Sequence, residues 1–339
     1  MLKKGLFWSV VFLPAMIACA LLLLIATAGV VIHITDDAEA FSRAVMPLQQ
    51  LARDVYERQR SIWQAQSGCI IFDEVLFYKP RPGTCVFDNI EYSTVLTFDT
   101  NGFRQTALPV RLDDDRPNRG RVVVLGDSQA MGWGVQDEET FGSILATEYG
   151  FTVFNLAVAS YGTARELLRL RKEFDLQKGD VVVIQYHPND LRENLAFLKS
   201  GVLPARSPSD LGRLAHTPQR YGVLQVSASI AFILKGKLAR AVFGDSDGEE
   251  GGVEHHAETF LAVSNHFQEL AQAKVMVCEV ASFGQATSFT EDLKRLTEGR
   301  MSVLKPVWET TDFYRLDDHL NAKGHRRLAN LIASTILSD

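Results

Sequence analysis

From Gly5 to Ile34 the chain contains no Asp, Glu, Lys or Arg. A helix needs about 20 apolar residues to cross the hydrocarbon core of a bilayer. The run is long enough for that, and longer than the apolar region of a cleaved leader, about 7–15 residues. Ala26-Thr27-Ala28 has the small-x-small pattern of a cleavage site, yet apolar residues continue past it. Lys3 and Lys4 precede the run, and Asp36, Asp37 and Glu39 come after it. By the positive-inside rule the expected topology is a single-pass inner-membrane anchor over residues 5–34. Its N-terminus is cytoplasmic and the rest of the chain is periplasmic. Pro14 is compatible with a spanning helix.

Composition constrains the chain beyond the anchor. Hydrophobic residues make up 46% of the 339, enough for a full-sized core, and the net charge is −6. An acidic chain lacks the electrostatic footprint of a nucleic-acid binder, so that partner class is excluded. Cys19 falls in the anchor and Cys278 in an apolar run, so both are expected to be inert. Cys69 and Cys85 lie 16 positions apart in the extracytoplasmic part. An oxidising compartment permits a disulfide between them, and the spacing leaves it open. No zinc-type Cys/His spacing occurs, and neither metal nor cofactor is expected.

Residues 35–66 read as a juxtamembrane helix. Thr35 is a candidate cap, Pro47 a kink or restart, and Leu48, Leu51, Val55 and Tyr56 recur at helical spacing. Residues 67–117 carry Pro80, Pro82, Gly83 and the β-branched stretch Tyr92–Phe98, and predict a small β-rich cap. Asn101-Gly102 is a tight turn, and Asp113–Arg119 a polar linker. From residue 118 to 339 strand and helix alternate. Val122–Leu125, Thr152–Leu156, Asp180–Tyr186 and Lys274–Val280 are short apolar runs suited to buried parallel strands. Glu139–Glu148 and Ala164–Phe174 are amphipathic helices between them. The expected fold class is α/β, a parallel sheet with helices on both faces. Residues 191–260 interrupt the alternation as a helical insertion with a helix over Ser227–Phe243, then a flexible loop at Asp245–Gly252.

In open parallel sheets, ligands bind beyond the carboxyl ends of the strands. Those ends are followed by Gly126-Asp127-Ser128, by Asn155 and the turn Ala159–Thr163, and by His187-Pro188-Asn189-Asp190. Leu316-Asp317-Asp318-His319-Leu320-Asn321 precedes the last helix. A serine hydroxyl is a weak nucleophile until a base takes its proton. His319 can be that base. Asp317 can fix its tautomer, with Asp318 as the fallback. The Ser128 N–H, the Ser160 N–H and the Asn189 amide are candidate oxyanion donors.

These four blocks, in this order, resemble those of the SGNH (GDSL) hydrolase family over about residues 118–339. Tyr78–Gly83 and Asn101–Arg104 resemble a leader in membrane-anchored relatives associated with envelope polysaccharides. The resemblance implies a three-layer α/β/α flavodoxin-like fold and a metal-free Ser-His-Asp mechanism, in a group of esterases, lipases, thioesterases and O-acetyltransferases. Three positions depart from it. Ser160 stands where a glycine is usual, and strains the turn if that turn needs positive φ. His187 replaces the first glycine of the third block. The usual acid position, three before the histidine, is Leu316.

The expected function is an extracytoplasmic esterase or O-acyl(acetyl)transferase acting on an acylated glycan or other ester. A transferase with one spanning helix needs a multi-pass partner to deliver the acyl group. The rival readings are a lipid or thioester hydrolase, using the insertion as an apolar channel, and a catalytically impaired glycan-binding module of an export complex. Asp127 is expected to cap the helix after the first strand. Asp190 is expected to hold the third loop, and His187 and Trp133 either to contact substrate or to pack. His325 is expected on the surface, and His255 and His256 carry no metal role.

Overall fold

The computed structural model describes residues 12–66, 68–106, 119–214, 222–243, 255–281 and 287–338. Asp113–Asn118 of the expected linker and the loop Asp245–Gly252 lie outside the described residues. The chain divides into two compact units. One comprises Met1–Arg60, Pro218–Val253 and Arg315–Asp317, the other Ser61–Thr217, Glu254–Tyr314 and Asp318–Asp339.

The first unit is helical. Leu13–Asp36 is a helix long and apolar enough to cross a membrane. Most of its large side chains, Met16, Leu22 and Leu23 among them, are exposed, while Ala28, Val31 and Ile34 near its end are buried. Thr35 does not cap a helix. Its hydroxyl donates to the Val31 carbonyl at 2.7 Å inside the first one, the back-bonding open to a threonine within a helix. Asp37 has the extended backbone a cap requires, and accepts from the Glu39 and Ala40 N–H groups to start Ala38–Arg43. Pro47 sits in the first turn of Met46–Gln59, where a missing N–H is harmless. The helix Val223–Phe243 belongs to this unit. Gln59 bonds Ser229 at 2.8 Å, Lys237 reaches Asp54 at 3.1 Å, and the Arg58 guanidinium lies 3.8 Å from the centre of the Phe232 ring. Arg53 donates to the Arg315 carbonyl at 3.0 Å. The buried Asp317 carboxylate accepts from the Tyr56 hydroxyl and from Arg60, each at 2.8 Å.

The second unit opens with two antiparallel hairpins, β1 (Ile70–Asp73) with β2 (Phe77–Pro80) and β3 (Gly83–Asn89) with β4 (Tyr92–Phe98). Cys69 and Cys85 form a disulfide between the two. The chain then bridges to the main sheet, where the Arg104 N–H donates to the Asn155 carbonyl at 2.9 Å. That sheet holds β5 (Arg121–Leu125), β6 (Thr152–Asn155), β7 (Val181–Tyr186), β8 (Lys274–Glu279) and β9 (Ser302–Leu304), all parallel, in the order β6-β5-β7-β8-β9. This is the flavodoxin-like order, whose switch point lies at β5 and β7.

Alternation along β5 divides the core. Val122 and Val124 pack on one face with Phe141, Ile144 and the last helix, Ala322–Ser338. Val123 and Leu125 pack on the other with Leu167, Leu170, Phe260 and Leu293. Two apolar faces bury two helical layers, giving the three-layer α/β/α architecture. The strand β9 is an addition to the four runs visible in the sequence.

Candidate functional site

Behind β5 the chain must turn sharply under the helix Ser128–Met131. Gly126 makes that turn at φ 149°, and a Cβ there would lie 2.6 Å from the Ala130 Cβ and 2.7 Å from the Gln185 side-chain oxygen. Only glycine fits. Asp127 caps the helix as expected, accepting from the Gln129 N–H at 2.8 Å. Ser128 is thereby held at the head of the sheet. Its Oγ lies 2.7 Å from Nε2 of His319. The other ring nitrogen, Nδ1, is 3.4 Å from Asp318 Oδ1. In this arrangement Nε2 faces a hydroxyl and Nδ1 a carboxylate, so the tautomer with its proton on Nδ1 can accept the serine proton. Asp317, one residue earlier, is fixed by Tyr56 and Arg60.

Gln129 had no sequence signal, yet it joins the two halves of this pair. Its amide nitrogen donates to the Asp318 carbonyl at 3.1 Å, and its amide oxygen accepts from the Leu320 N–H at 3.0 Å. One side chain thus grips the backbone on both sides of His319. Trp133 is buried and stacks on the His319 imidazole, with ring centres 4.7 Å apart and an interplanar angle of 12°. Phe87 meets the same indole edge-on, with ring centres 4.6 Å apart.

The expected oxyanion turn is pinned to the turn that carries Ser128, for the Val158 N–H donates to the Gly126 carbonyl at 3.0 Å. Ser160 takes φ 62°, left-handed backbone. The turn therefore needs positive φ, and serine carries it under strain, steadied by a bond from the Gln64 amide to its hydroxyl at 2.8 Å. Asn189 is exposed, and its N–H donates to His187 Nδ1 at 3.2 Å. His187 is itself buried, so it shapes the third loop from within. Ser160 and Asn189 share the wall of a cleft of about 550 Å³.

Asp190 and Glu166 lie beneath these loops, both buried. Asp190 accepts from the Thr163 hydroxyl at 2.9 Å. Burial pushes both carboxyl groups well above the ordinary carboxylate range, helped at Glu166 by the charges of Asp190 and Asp127 and at Asp190 by that of Asp127.

Two other histidines are structural. His325 is buried against the expectation of a surface position. It lies three, four and seven residues before Leu328, Ala329 and Ile332, on the core face of the last helix. Its Nδ1 accepts the Phe141 N–H at 3.2 Å, and burial pulls its pKa down to about 3. His256 is buried with Nδ1 at 2.6 Å from the Tyr186 hydroxyl, while His255 is exposed. Among the described residues, the run Asp317-Asp318-His319 has the donor types for a cation. Its donors are already engaged: His319 Nε2 by Ser128, and the Asp317 oxygens by Arg60 and Tyr56.

No family model matches the sequence, and no curated protein matches it. Thirty-one solved chains match by structure. One is a putative lipolytic protein of the G-D-S-L family from Desulfitobacterium hafniense, 11% identical, with a TM-score of 0.37 over 63% of this chain and 98% of that one. A carbohydrate esterase family 2 enzyme with a carbohydrate-binding domain, from Corynascus thermopiles (Myceliophthora fergusii), is 13% identical, with a TM-score of 0.40 over 66% and 68%. An acetyl xylan esterase from Geobacillus stearothermophilus is 12% identical, with a TM-score of 0.36 over 64% and 94%. At such scores the weight of a functional reading rests on the site itself.

Proposed function

We propose that the chain is a membrane-anchored, extracytoplasmic serine enzyme that cleaves or transfers acyl groups, acetyl among them, on envelope polysaccharide. The observation that carries this reading is the 2.7 Å contact of Ser128 Oγ with His319 Nε2 at the carboxyl end of β5. Ser128 Oγ attacks the ester carbonyl while its proton passes to Nε2. The carbonyl oxygen becomes an oxyanion beside the Ser128 and Ser160 N–H groups and the Asn189 amide, each such donor being worth about 10²–10³ in rate. The intermediate collapses, the C–O bond to the leaving alcohol breaks, and that alcohol takes the proton from His319. Water then attacks the acyl-serine in an esterase, or a sugar hydroxyl in a transferase, and His319 again relays the proton. Asp317 is the carboxylate assigned to the imidazolium, and Asp318, whose Oδ1 lies 3.4 Å from Nδ1, is its rival for that role.

The anchor helix supports the envelope as the site of action, with the N-terminus cytoplasmic and the second unit periplasmic. A transferase would draw its acyl group from a multi-pass partner. The test is hydrolysis of p-nitrophenyl acetate by the detergent-purified full chain, beside Ser128→Ala, with fluorophosphonate labelling of both. Turnover and labelling that vanish together in the variant support the reading. An unlabelled, inert wild type would leave a glycan-binding module as the better account.

A further inference from the structure

We infer that the cleft walled by Ser160 and Asn189 is a subsite for a carboxylate carried by the substrate, so that the preferred ester lies on an acidic glycan. This deepens the function proposed above and rests on it.

The charge of the cleft runs against that of the chain. The protein has a net charge of −6, yet three arginines, Arg165, Arg192 and Arg206, line this cleft against a single carboxylate, Glu193. That carboxylate is engaged within the wall. One oxygen pairs with Arg165, and the other accepts the Gly162 N–H at 2.9 Å. Two guanidinium groups are left over. Arg192 is exposed and has no ion pair among the described residues. Arg206 is exposed, faces the Phe77 ring at 5.6 Å, and reaches Asp210 only through its longer-range field. Guanidinium groups bind carboxylates through paired N–H donors, which gives orientation as well as attraction.

The wall is built rather than incidental. Tyr78 donates to the Ala159 carbonyl at 2.6 Å, and Tyr161 donates to the Tyr78 carbonyl. Arg165 lies 5.1 Å from the centre of the Tyr161 ring. Among the described residues three non-glycines hold positive φ, and two of them, Phe77 at 68° and Ser160 at 62°, are in this cleft. Such strain persists where the surroundings over-determine it, and it gathers at ligand sites. Ser160 also belongs to the oxyanion turn, so an anion held by Arg192 and Arg206 would sit on the sugar next to the reacting ester.

The experiment has a catalytic and a binding arm. The full chain is assayed on O-acetylated oligogalacturonide and O-acetylated xylo-oligosaccharide, and the ratio of kcat/KM for the acidic over the neutral ester is measured at low and high salt. The ratio is expected to exceed about ten at low salt and to shrink with ionic strength, because the arginines are exposed. It should fall about tenfold in the double variant Arg192→Gln/Arg206→Gln, mainly through KM, and stay put in Lys199→Gln on the same helix. In the binding arm, Ser128→Ala is titrated calorimetrically with unacetylated oligogalacturonate. Binding that weakens about tenfold on adding the two arginine substitutions supports the subsite. A ratio near one, or binding indifferent to both arginines, overturns it even where p-nitrophenyl acetate is turned over. Turnover that persists in Ser128→Ala, with arginine-dependent binding, would instead retain the subsite and remove the serine mechanism.

Discussion

The indole of Trp133 lies flat on the imidazole of His319, with ring centres 4.7 Å apart and planes 12° from parallel. The stack fixes the ring whose Nε2 lies 2.7 Å from Ser128 Oγ. Trp133→Phe keeps an aromatic platform and is expected to lower kcat by less than about tenfold. Trp133→Ala removes a buried side chain, should destabilise by about 3–5 kcal/mol, and should release the imidazole. Steady-state kinetics with thermal unfolding separate the two effects, since loss of kcat in folded Trp133→Phe reports orientation alone.

Gln129 grips the His319 segment through both amide atoms. Gln129→Met has similar length and neither hydrogen bond. It should lose about 1–2 kcal/mol of stability and about 10–100-fold in kcat, with KM little changed. Fluorophosphonate labelling of Ser128 should slow in parallel. A variant as fast as wild type would mean that packing alone holds the loop.

The two carboxylates before His319 can be told apart. Asp317 is fully buried and bonded by Tyr56 and Arg60, whereas Asp318 is a third exposed. Asp317→Asn is expected to lower kcat by about 10⁴, the loss expected when the orienting acid becomes an amide. Asp318→Asn should cost less than about tenfold. The reverse ranking would give the role to Asp318, whose Oδ1 is 3.4 Å from Nδ1.

Three buried groups set pH dependences of opposite sign on stability. His325 is neutral in the fold, with its pKa pulled down to about 3 from 6.5. The unfolded chain therefore binds a proton that the folded chain refuses. Stability is lost as pH falls from 6.5 towards 3, by up to about 1.4 kcal/mol per unit. His325→Asn, which can still accept from Phe141, should flatten that slope in urea titrations at pH 7, 5 and 4. Glu166 and Asp190 have raised pKa values, so the fold holds protons that the unfolded chain releases, and stability falls as pH rises above the ordinary carboxylate range. Glu166→Gln should raise stability at pH 8 by about 1–2 kcal/mol, and by less at pH 5.

Ser160 holds its left-handed backbone under strain. Ser160→Gly should relieve about 1 kcal/mol, offset in part by loss of the Gln64 bond, and should retain turnover because the N–H remains. Ser160→Val, β-branched at φ 62°, should unfold at lower denaturant. Equal midpoints for all three would mean that the turn relaxes freely.

How much of this was legible in the sequence depends on whether the signal was local. Four strands of the sheet are continuous apolar runs, and Ser128, Asn189 and His319 follow strand ends or precede the last helix. The strand β9 has three residues, too few for a periodic pattern. Thr35 and Asp37 are both cap-forming residue types, and only the path of the backbone decides between them. His325 was legible, since it shares the helical phase of Leu328, Ala329 and Ile332, but a polar residue invites a surface reading. Gln129 was not legible, because its partners lie 189 and 191 positions away.

Two guanidinium groups make the β-rich extension inseparable from the sheet. Arg104 is buried and serves Asp137 at 2.6 Å and the Val135 carbonyl at 2.9 Å. Arg169, equally buried, holds the carbonyls of Gly102 and Leu156, each at 2.8 Å. A chain shortened to start near residue 118 would leave Asp137 without its cation, Arg169 short of an acceptor, and β6 with an uncovered edge. Such an edge recruits strands from other molecules. The shortened protein would therefore fail by aggregation rather than by loss of chemistry, and a soluble form has to begin no later than Ser61.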